Sequence, residues 1–282
     1  MDSQSLKIKT YQIFYHSSSK EADLWAKKIR SFLRKNFNLN EDSKKPEAVI
    51  VLGGDGTILE AARKYHKSGA IIIGLNLGTV GFLASVRESN NFLPALKRFF
   101  SGNHRILERM MILAEVIRRG KVILKTDALN EVVIKNLLGV AELETKIEDH
   151  PIQYIRGTGI MVATATGSTA YNMSAHGPIV MPDIKCLIVT EILDHSIPTP
   201  SIIVKYQNKI FIKVLNYRKR GILSLSKTGQ KIDTLLISDG DTVFPLEKGD
   251  IVTIQSHPQP IRFAELERHY FFKSLQEKFG FK

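Results

Sequence analysis

The chain has 282 residues, of which 43% are apolar, so it is long and apolar enough for a buried core and for one or two domains. Its formal net charge of +12 favours negatively charged partners such as nucleic acid, acidic membranes or phosphorylated small molecules. A lysine-rich solvated surface would give the same charge. The basic segments lack aromatic residues in a groove-like pattern, and we therefore expect no nucleic-acid partner.

Cysteine usage and apolar runs indicate the compartment. Cys186 is the single cysteine, so no intrachain disulfide can form and a thiolate metal cluster is disfavoured. The first residues lack the apolar core of a signal peptide. No apolar run approaches the roughly 18–20 residues that cross a bilayer. We expect a soluble cytoplasmic protein that does not contact membranes.

The first hundred residues alternate between strand-like and helix-like patterns. In chain order they predict strand 11–16, helix 21–35, strand 48–54, helix 57–67, strand 70–76 and helix 90–100. Such alternation is typical of a parallel sheet with flanking helices. We therefore expect an α/β N-terminal domain over residues 1–105.

The pattern changes after about residue 105, where short β-branched runs dominate. They predict a β-rich domain over 106–257, with one short helical segment at 168–177. Residues 258–282 return to helical spacing with many aromatic residues. We expect this helical tail to pack back on the N-terminal domain or to form an interface.

A lone acid among glycines marks the end of the second predicted strand, in the stretch VIVLGGDGTILEAAR at 50–64. The carboxyl edge of a parallel sheet is where ligands bind, and a helix that starts near Thr57 would offer free N–H groups to an anion. The stretch is neither a Walker A loop nor a G-x-G-x-x-G fingerprint. It is either a tight turn with Asp55 as N-cap, or a site where Asp55 accepts a proton from a hydroxyl. The second interpretation suggests phosphoryl transfer to an alcohol, with a divalent ion on the donor phosphates offsetting the repulsion.

Three further stretches carry weaker signals. A second glycine loop at 74–82 follows the next strand, which suggests a crevice shared with the first loop, although alone it favours a turn that packs a helix closely. In 166–178, Tyr171 and Ser174 share a helix face that suits a base and a ribose; the alternative is a capped structural helix. Asn130-Glu131 interrupts a predicted strand and needs polar partners, either a ribose diol or a neighbouring loop.

Other catalytic patterns are absent from the sequence. No H-E-x-x-H or other metal-ligand spacing occurs among the histidines, so we expect no metal ligands in the chain itself. The acidic stretch at 238–250 fails the EF-hand pattern and predicts a hairpin turn. A G-x-S-x-G nucleophile elbow is also missing.

Taken together, these stretches resemble the NAD kinase family. The resemblance rests on four motifs in order, with spacing that agrees across most of the chain as far as the Ser-Asp-Gly turn at 238–240: Gly-Gly-Asp-Gly-Thr at 53–57, Asn-Leu-Gly-x-x-Gly-Phe-Leu at 76–83, Asn130-Glu131, and T-G-S-T-A-Y-N-x-S-A-x-G-P at 166–178. It implies an N-terminal α/β domain, a β-rich C-terminal domain and NAD bound between them. It also implies transfer of the ATP γ-phosphoryl group to the 2′-hydroxyl of the adenosine ribose with magnesium, and a homodimer or homotetramer.

The resemblance also implies residue roles. Asp55 would be the catalytic proton acceptor, Asn130 and Glu131 would hold the adenosine half of NAD, and Arg156 would lie near phosphate. The residues implied to bind NAD or ATP are Gly53, Gly54, Gly56, Thr57, Asn76, Gly78, Phe82, Asn130, Glu131, Arg156, Thr158, Thr169, Ala170, Tyr171, Asn172, Met173 and Ser174.

One departure from the family pattern concerns the nicotinamide end. The family usually has Gly-Asp-Gly where this chain has Gly157-Thr158-Gly159. The missing carboxylate would lie near a ring that is cationic in NAD and neutral in NADH, so we expect weaker discrimination between the two. Whether ATP or polyphosphate is the donor stays open. Two rival functions remain: a lipid kinase of the diacylglycerol or sphingosine type, which has a similar glycine-aspartate loop, and a non-catalytic NADP sensor.

Overall fold

A computed structural model describes residues 8–79, 81–195, 199–224, 229, 231–267 and 269–280. The chain divides into two compact units. The first unit is Met1–Arg109 with Gln259–Lys282, and the second is Met110–Pro258. Within the described ranges, no helix combines the length and apolar character needed to cross a bilayer.

The helices and strands are numbered in chain order. The α-helices are α1 (Lys20–Asn36), α2 (Asp55–Tyr65), α3 (Phe92–Phe100), α4 (Tyr171–Ser174) and α5 (Tyr270–Phe279). Short 3₁₀ turns cover His66–Ser68, Ser89–Asn91 and Thr166–Thr169. The strands are β1 (Thr10–Phe14), β2 (Asn40–Glu41), β3 (Ala48–Leu52), β4 (Ile71–Leu75), β5 (Arg105–Arg109), β6 (Ile112–Arg118), β7 (Lys121–Ala128), β8 (Glu131–Asn136), β9 (Ala141–Ile147), β10 (His150–Thr164), β11 (Cys186–Asp194), β12 (Ile202–Lys205), β13 (Ile210–Tyr217), β14 (Leu223–Ser224), β15 (Lys231–Ile232), β16 (Thr234–Ser238), β17 (Thr242–Pro245), β18 (Ile251–Ser256) and β19 (Ile261–Glu265).

The first unit is built on a sheet with strand order β2-β1-β3-β4-β19-β5. The pairs from β2 to β19 are parallel, and β5 is antiparallel to β19. All residues of β3 and β4 are buried, as a continuous β-branched run between two helical layers requires. On α1, Ala22, Ala26, Ile29 and Leu33 form the buried stripe. The predicted α/β fold is confirmed for this part of the chain.

The C-terminal segment begins differently from the expected helical tail. Residues 261–265 form strand β19, which pairs with β4 and β5, and the helix α5 starts only at Tyr270. Ile261, Phe263 and Ala264 are buried. The apolar residues therefore serve a sheet, because β4 offers an unpaired edge that the local pattern could not reveal.

The second unit is dominated by a large, mainly antiparallel sheet with the path β17-β16-β8-β10-β9-β13-β18-β6-β7, and β11 pairs with β10 and β12. The 15-residue strand β10 pairs with β8, β9 and β11. Alternating burial along β6 and β9 directs every second side chain into the apolar core. The predicted β-rich C-terminal domain is confirmed.

Candidate active site

The first glycine loop joins β3 to α2 in the first unit. Gly54 is the N-cap of α2, and the helix begins at Asp55 rather than at Thr57. A Cβ on Gly53 would lie 2.6 Å from Thr57 Oγ1, so the threonine side chain closes over that glycine. Gly54 and Gly56 have open space where a side chain would stand. Bare backbone at the start of a helix suits the close approach of an anion.

Asp55 is not the N-cap that the structural interpretation of this turn predicted. Its Oδ2 accepts a hydrogen bond from Phe82 N at 2.7 Å, and its Oδ1 accepts one from Leu83 N at 3.1 Å. The carboxylate therefore ties two loops together and is half-buried at the helix start, where the helix dipole favours negative charge. Each carboxylate oxygen has a further lone pair that can accept another hydrogen bond.

The second glycine loop lies beside the first, as the shared strand edge predicts. Asn76 Oδ1 accepts from Gly78 N at 3.1 Å, and its Nδ2 donates to the carbonyl oxygens of Gly78 at 3.2 Å and Thr79 at 3.3 Å. A Cβ on Gly78 would lie 3.7 Å from Gly54 Cα. Asn76 thus shapes the loop, and Gly78 and Gly54 bring the two backbones close.

The end of the second loop presses against Asp55. A Cβ on Gly81 would overlap the carboxylate of Asp55, so a side chain at this position would displace that carboxylate. The ring of Phe82 is buried, with ring centroids 5.7 Å from Phe271 and 6.4 Å from Phe279 of α5. Phe82 is among the residues predicted to bind a nucleotide, and that role stays a prediction. In the structure its backbone N–H donates to Asp55 and its side chain packs on α5.

A buried arginine that the sequence analysis missed stands close to this loop. Arg109 is 7% exposed, its Nη2 donates to Phe82 O at 3.4 Å, and its guanidinium lies 4.9 Å from the centroid of the Phe263 ring. Burial lowers the pKa of Arg109 to about 10, and the negative charge of Asp55 opposes that shift. Arg109 is therefore cationic at neutral pH and balances the charge of Asp55. An arginine just before an apolar run was the available signal.

In the second unit, an aspartate that was assigned only to a hairpin turn holds Asn130 and Glu131. Asp239 lies between β16 and β17, so the predicted hairpin is present. Its carboxylate accepts from Leu129 N at 2.8 Å, Asn130 N at 2.8 Å and Glu131 N at 3.1 Å. These three bonds fix the backbone at the start of β8 and leave the Asn130 side chain half-exposed.

Glu131 is a buried acid with an unusual protonation state. It is 8% exposed, and its Oε2 has no hydrogen-bond partner among the described residues. Burial, with a smaller contribution from the charge of Asp239, raises the pKa of Glu131 to about 8, and a hydrogen bond from the backbone of Tyr171 acts in the opposite direction. At neutral pH the neutral acid predominates and can donate a hydrogen bond from its carboxyl group.

This raised pKa predicts a pH-dependent stability. The group favours folding fully below its ordinary pKa of 4.5, and that contribution is lost as pH rises through about 8. We expect the Tm of the ligand-free wild type to fall between pH 6 and pH 9, and to fall further than the Tm of Glu131→Gln does over the same range. The extra fall should be about 2–4 °C for each kcal/mol of stability that the protonated Glu131 loses. Thermal unfolding at both pH values measures this. Asp149→Asn, an exposed acid in the same unit, is the control; equal falls for wild type and Glu131→Gln would contradict the prediction.

The Thr-Gly-Ser-Thr turn packs directly on this region. A Cβ on Gly167 would overlap the backbone of Asn130, and Thr164 N donates to Asn130 O at 2.8 Å. Thr169 is buried, and its Oγ1 donates to Thr166 O at 3.4 Å. Asn172 is fully buried; its amide donates to Pro178 O at 3.2 Å and accepts from Thr190 Oγ1 at 2.8 Å. These contacts favour a structural role for Asn172, and its binding of NAD stays a prediction.

A cavity of about 610 Å³ opens beside the short helix α4. Tyr171 and Ser174 both line it, which agrees with the helix face predicted from their spacing. Ala170, just before Tyr171, and Met173, just before Ser174, are half-buried. Across the cavity the wall includes Glu191, Ile192 and Asp194 of β11. An aromatic ring, hydroxyls and carboxylates around one cavity suit a nucleoside.

The last two predicted residues lie on β10. The side chain of Arg156 is 63% exposed and its Nε is 3.8 Å from Glu142 Oε1, so the guanidinium can swing toward an anion. Thr158 is half-buried between Gly157 and Gly159, which pair with Asp194 and Ile192. Thr158 therefore neighbours the strand that forms one wall of the cavity.

Comparison with known proteins identifies the family. The family model described as ATP-NAD kinase N-terminal domain matches residues 4–104, and the one described as ATP-NAD kinase C-terminal domain matches residues 129–266. An NAD kinase from Lachnoclostridium phytofermentans is 36% identical over 243 residues, which are 84% of this chain and 81% of that protein. This chain belongs to the NAD kinase family. An NAD kinase from Natranaerobius thermophilus is 34% identical over 234 residues, which are 82% of this chain and 77% of that protein.

Solved structures of NAD kinase relatives share the fold. The crystal structure of yeast NADH kinase complexed with NADH superposes with a TM-score of 0.85 at 19% identity, over 98% of this chain and 89% of that one. An NAD kinase from Archaeoglobus fulgidus in complex with ATP gives 0.73 at 21% identity, over 96% and 98%. The expected NAD kinase-like fold is therefore confirmed.

Proposed function

We propose that this chain transfers the γ-phosphoryl group of ATP to the 2′-hydroxyl of the adenosine ribose of NAD, giving NADP. Conversion of NAD to NADP is the activity of the family to which the chain belongs. The observation that carries the residue-level proposal is the Asp55 carboxylate, held by the N–H groups of Phe82 and Leu83 at the edge of two glycine loops.

In this mechanism, Asp55 accepts the proton of the attacking 2′-hydroxyl as the new phosphoester bond forms. The two backbone N–H donors fix the direction of the carboxylate, so that its remaining lone pairs face the hydroxyl. The bare backbone around Gly54, Gly56 and Gly78 lets the donor phosphates come close, and the N-terminus of α2 offsets their charge. Phosphoryl transfer depends mainly on such positioning and charge stabilisation.

Magnesium is part of the proposal as a companion of ATP. Mg²⁺ takes oxygen ligands and is usually bound by one or two carboxylates together with substrate phosphates. Asp55, a single carboxylate with free lone pairs beside an exposed glycine backbone, fits that donor set, which departs from the expectation that the chain itself supplies no metal ligand. When bound, the ion would neutralise charge on the donor phosphates. Polyphosphate is the alternative donor.

The adenosine half of NAD is assigned to the second unit. Asn130 offers a half-exposed amide, and neutral Glu131 can donate to a ribose oxygen. Tyr171 and Ser174 supply a ring and a hydroxyl at the cavity, with Thr169, Ala170 and Met173 around them. Arg156 is assigned to phosphate.

An assay of NADP formation separates this proposal from the rivals. Purified protein with NAD, ATP and Mg²⁺ is coupled to an NADP-specific dehydrogenase, and the same assay is run with polyphosphate as donor. With NADH as acceptor the product is NADPH, so that reaction is followed with an NADPH-specific reductase instead. NADP formation supports the proposal. Phosphorylation of diacylglycerol or sphingosine without NADP formation would favour a lipid kinase, and NADP binding without turnover would favour a sensor.

Thr158 predicts a specific change in acceptor choice. We expect Thr158→Asp to raise the ratio of kcat/KM for NAD over NADH by about threefold to tenfold, since a carboxylate near the nicotinamide attracts the cationic ring and not the neutral one. Thr158→Asn is the matched control because it has the same shape without the charge. Steady-state kinetics with both acceptors measure the ratio. An unchanged ratio in Thr158→Asp, or an equal change in Thr158→Asn, would contradict the charge effect.

Location and assembly complete the proposal. The chain is assigned to the cytoplasm, since its single cysteine is buried and cannot form an intrachain disulfide. It is assigned to a homodimer or homotetramer by its resemblance to the family, and no nucleic-acid or membrane partner is assigned.

A further inference from the structure

The C-terminal helix α5 holds the loop to which Asp55 is bonded. Tyr270 Oη donates to Gly81 O at 3.2 Å, and Ser274 Oγ donates to the same oxygen at 2.9 Å. Tyr270 is 7% exposed and Ser274 is fully buried, so these bonds are shielded from water. Gly81 precedes Phe82, whose N–H donates to Asp55.

An arginine from the first part of the chain holds the Ser274 hydroxyl and the backbone of Tyr270. Arg87 Nη2 donates to Ser274 Oγ at 2.6 Å and to Tyr270 O at 3.4 Å. Its guanidinium lies 4.7 Å from the centroid of the Tyr270 ring, and Nη1 pairs with Glu277 Oε1 at 2.5 Å. Because Arg87 Nη2 occupies an acceptor site of the Ser274 hydroxyl, the Ser274 proton points to Gly81 O.

Tyr270 is also a secure donor. Burial, assisted by the negative charge of Asp55, raises the pKa of Tyr270 to about 12, so the hydroxyl keeps its proton across the working pH range. Apolar packing also holds the loop to α5, because the ring of Phe82 packs on Phe271 and Phe279. Lys278 Nζ lies 5.2 Å from the centroid of the Phe82 ring. The 81–83 loop is therefore fixed by α5 on one side and bonded to Asp55 on the other.

We infer that Tyr270 and Ser274 are positioning residues for the reaction. They fix the orientation of the Asp55 carboxylate, because they hold Gly81 and, through it, the backbone N–H groups of Phe82 and Leu83. This inference rests on the proposed role of Asp55. Its consequence is that loosening α5 lowers the rate of phosphoryl transfer without weakening NAD binding, because the carboxylate is displaced while the second unit is untouched. A displacement of about 1 Å can cost up to roughly 10²-fold in rate.

The test compares Tyr270→Phe/Ser274→Ala, the milder Tyr270→Phe alone, and the control Gln276→Ala, an exposed residue of the same helix. The measurements are kcat, KM for NAD, Tm, and hydrogen–deuterium exchange of the peptide that contains Phe82 and Leu83. We expect kcat to fall about tenfold or more in the double variant and about threefold in Tyr270→Phe, with KM for NAD within about twofold of wild type. Exchange at 82–83 should accelerate in the same order, and Gln276→Ala should match wild type.

Three results would overturn the inference: unchanged exchange at 82–83, unchanged kcat despite faster exchange, or a rise in KM for NAD that matches the fall in kcat. A lower Tm in the double variant is separated from positioning by Tyr270→Phe, which keeps the ring and its packing. Asp55→Asn, assayed beside them, reports on the proposed function separately. If that variant keeps normal turnover, the role of Asp55 fails, whereas the exchange data still report whether α5 holds the loop.

Discussion

Asp55→Asn is expected to lower kcat by about 10²–10⁴-fold while NAD still binds. The asparagine keeps the size of the side chain but is a far weaker proton acceptor. It also carries one acceptor oxygen instead of two, so the N–H of either Phe82 or Leu83 loses its partner. Both effects act on the transfer step. Steady-state kinetics give kcat, and calorimetric titration with NAD gives the affinity.

A matched control lies on the same helix. Glu60→Gln makes the same acid-to-amide change at an exposed position of α2, five residues beyond Asp55, and should leave kcat at the wild-type value. Turnover of Asp55→Asn near the wild-type rate would refute the role of Asp55 as proton acceptor. Loss of NAD affinity in proportion to the loss of kcat would point to a structural role instead.

The N-terminal fold was predictable because its signals are local. A few neighbouring residues are enough to predict the strands β3 and β4 from their apolar runs and the helix α1 from its helical spacing. The strand β19 could not be predicted in the same way. Its residues pair with β4, nearly two hundred positions earlier in the chain, and the pattern of residues 261–265 does not indicate which strand they pair with.

The same limit applies to the candidate site. Asp55, Asn130 and Glu131 stood out since each is polar where its neighbours are apolar or glycine. Asp239 was correctly placed in a hairpin turn, yet the use of its carboxylate to hold residues 129–131 depends on a contact across about a hundred residues. Tyr270 and Ser274 gave no local signal for the same reason, and the only signal for Arg109 was its position just before an apolar run. Long-range hydrogen bonds decide these roles.

Glycines in the motifs also differ in ways that the sequence does not display. Gly54 and Gly56 have open space beside them, as a surface for ligand would need. Gly81 and Gly167 instead have another part of the protein where a side chain would stand, the carboxylate of Asp55 and the backbone of Asn130 respectively. The first pair serves access, and the second pair serves close packing of the site itself.

Gly81→Ala is therefore expected to lower kcat by about 10²-fold or more. The new methyl group would occupy the place of the Asp55 carboxylate, and the carboxylate must turn away because the Gly81 carbonyl is held by Tyr270 and Ser274. Overpacking of this kind also costs about 1–3 kcal/mol of stability. Kinetics measure the rate, and denaturant unfolding measures the free energy of unfolding.

Gly78→Ala in the same loop is the control for folding, since its methyl would meet Gly54 Cα at 3.7 Å, an ordinary contact distance. Its free energy of unfolding should stay close to that of wild type, whereas that of Gly81→Ala should fall.

Removing the two hydrogen bonds to the Gly81 carbonyl supplies a second check. Adding Tyr270→Phe/Ser274→Ala to Gly81→Ala should lower kcat by a smaller factor than the same two changes do in wild type. The reason is that the new methyl group has already displaced the carboxylate that Tyr270 and Ser274 position. Wild-type turnover in Gly81→Ala would contradict the close approach of this loop to Asp55. Fully additive losses would mean that α5 and Gly81 act on the rate through different atoms.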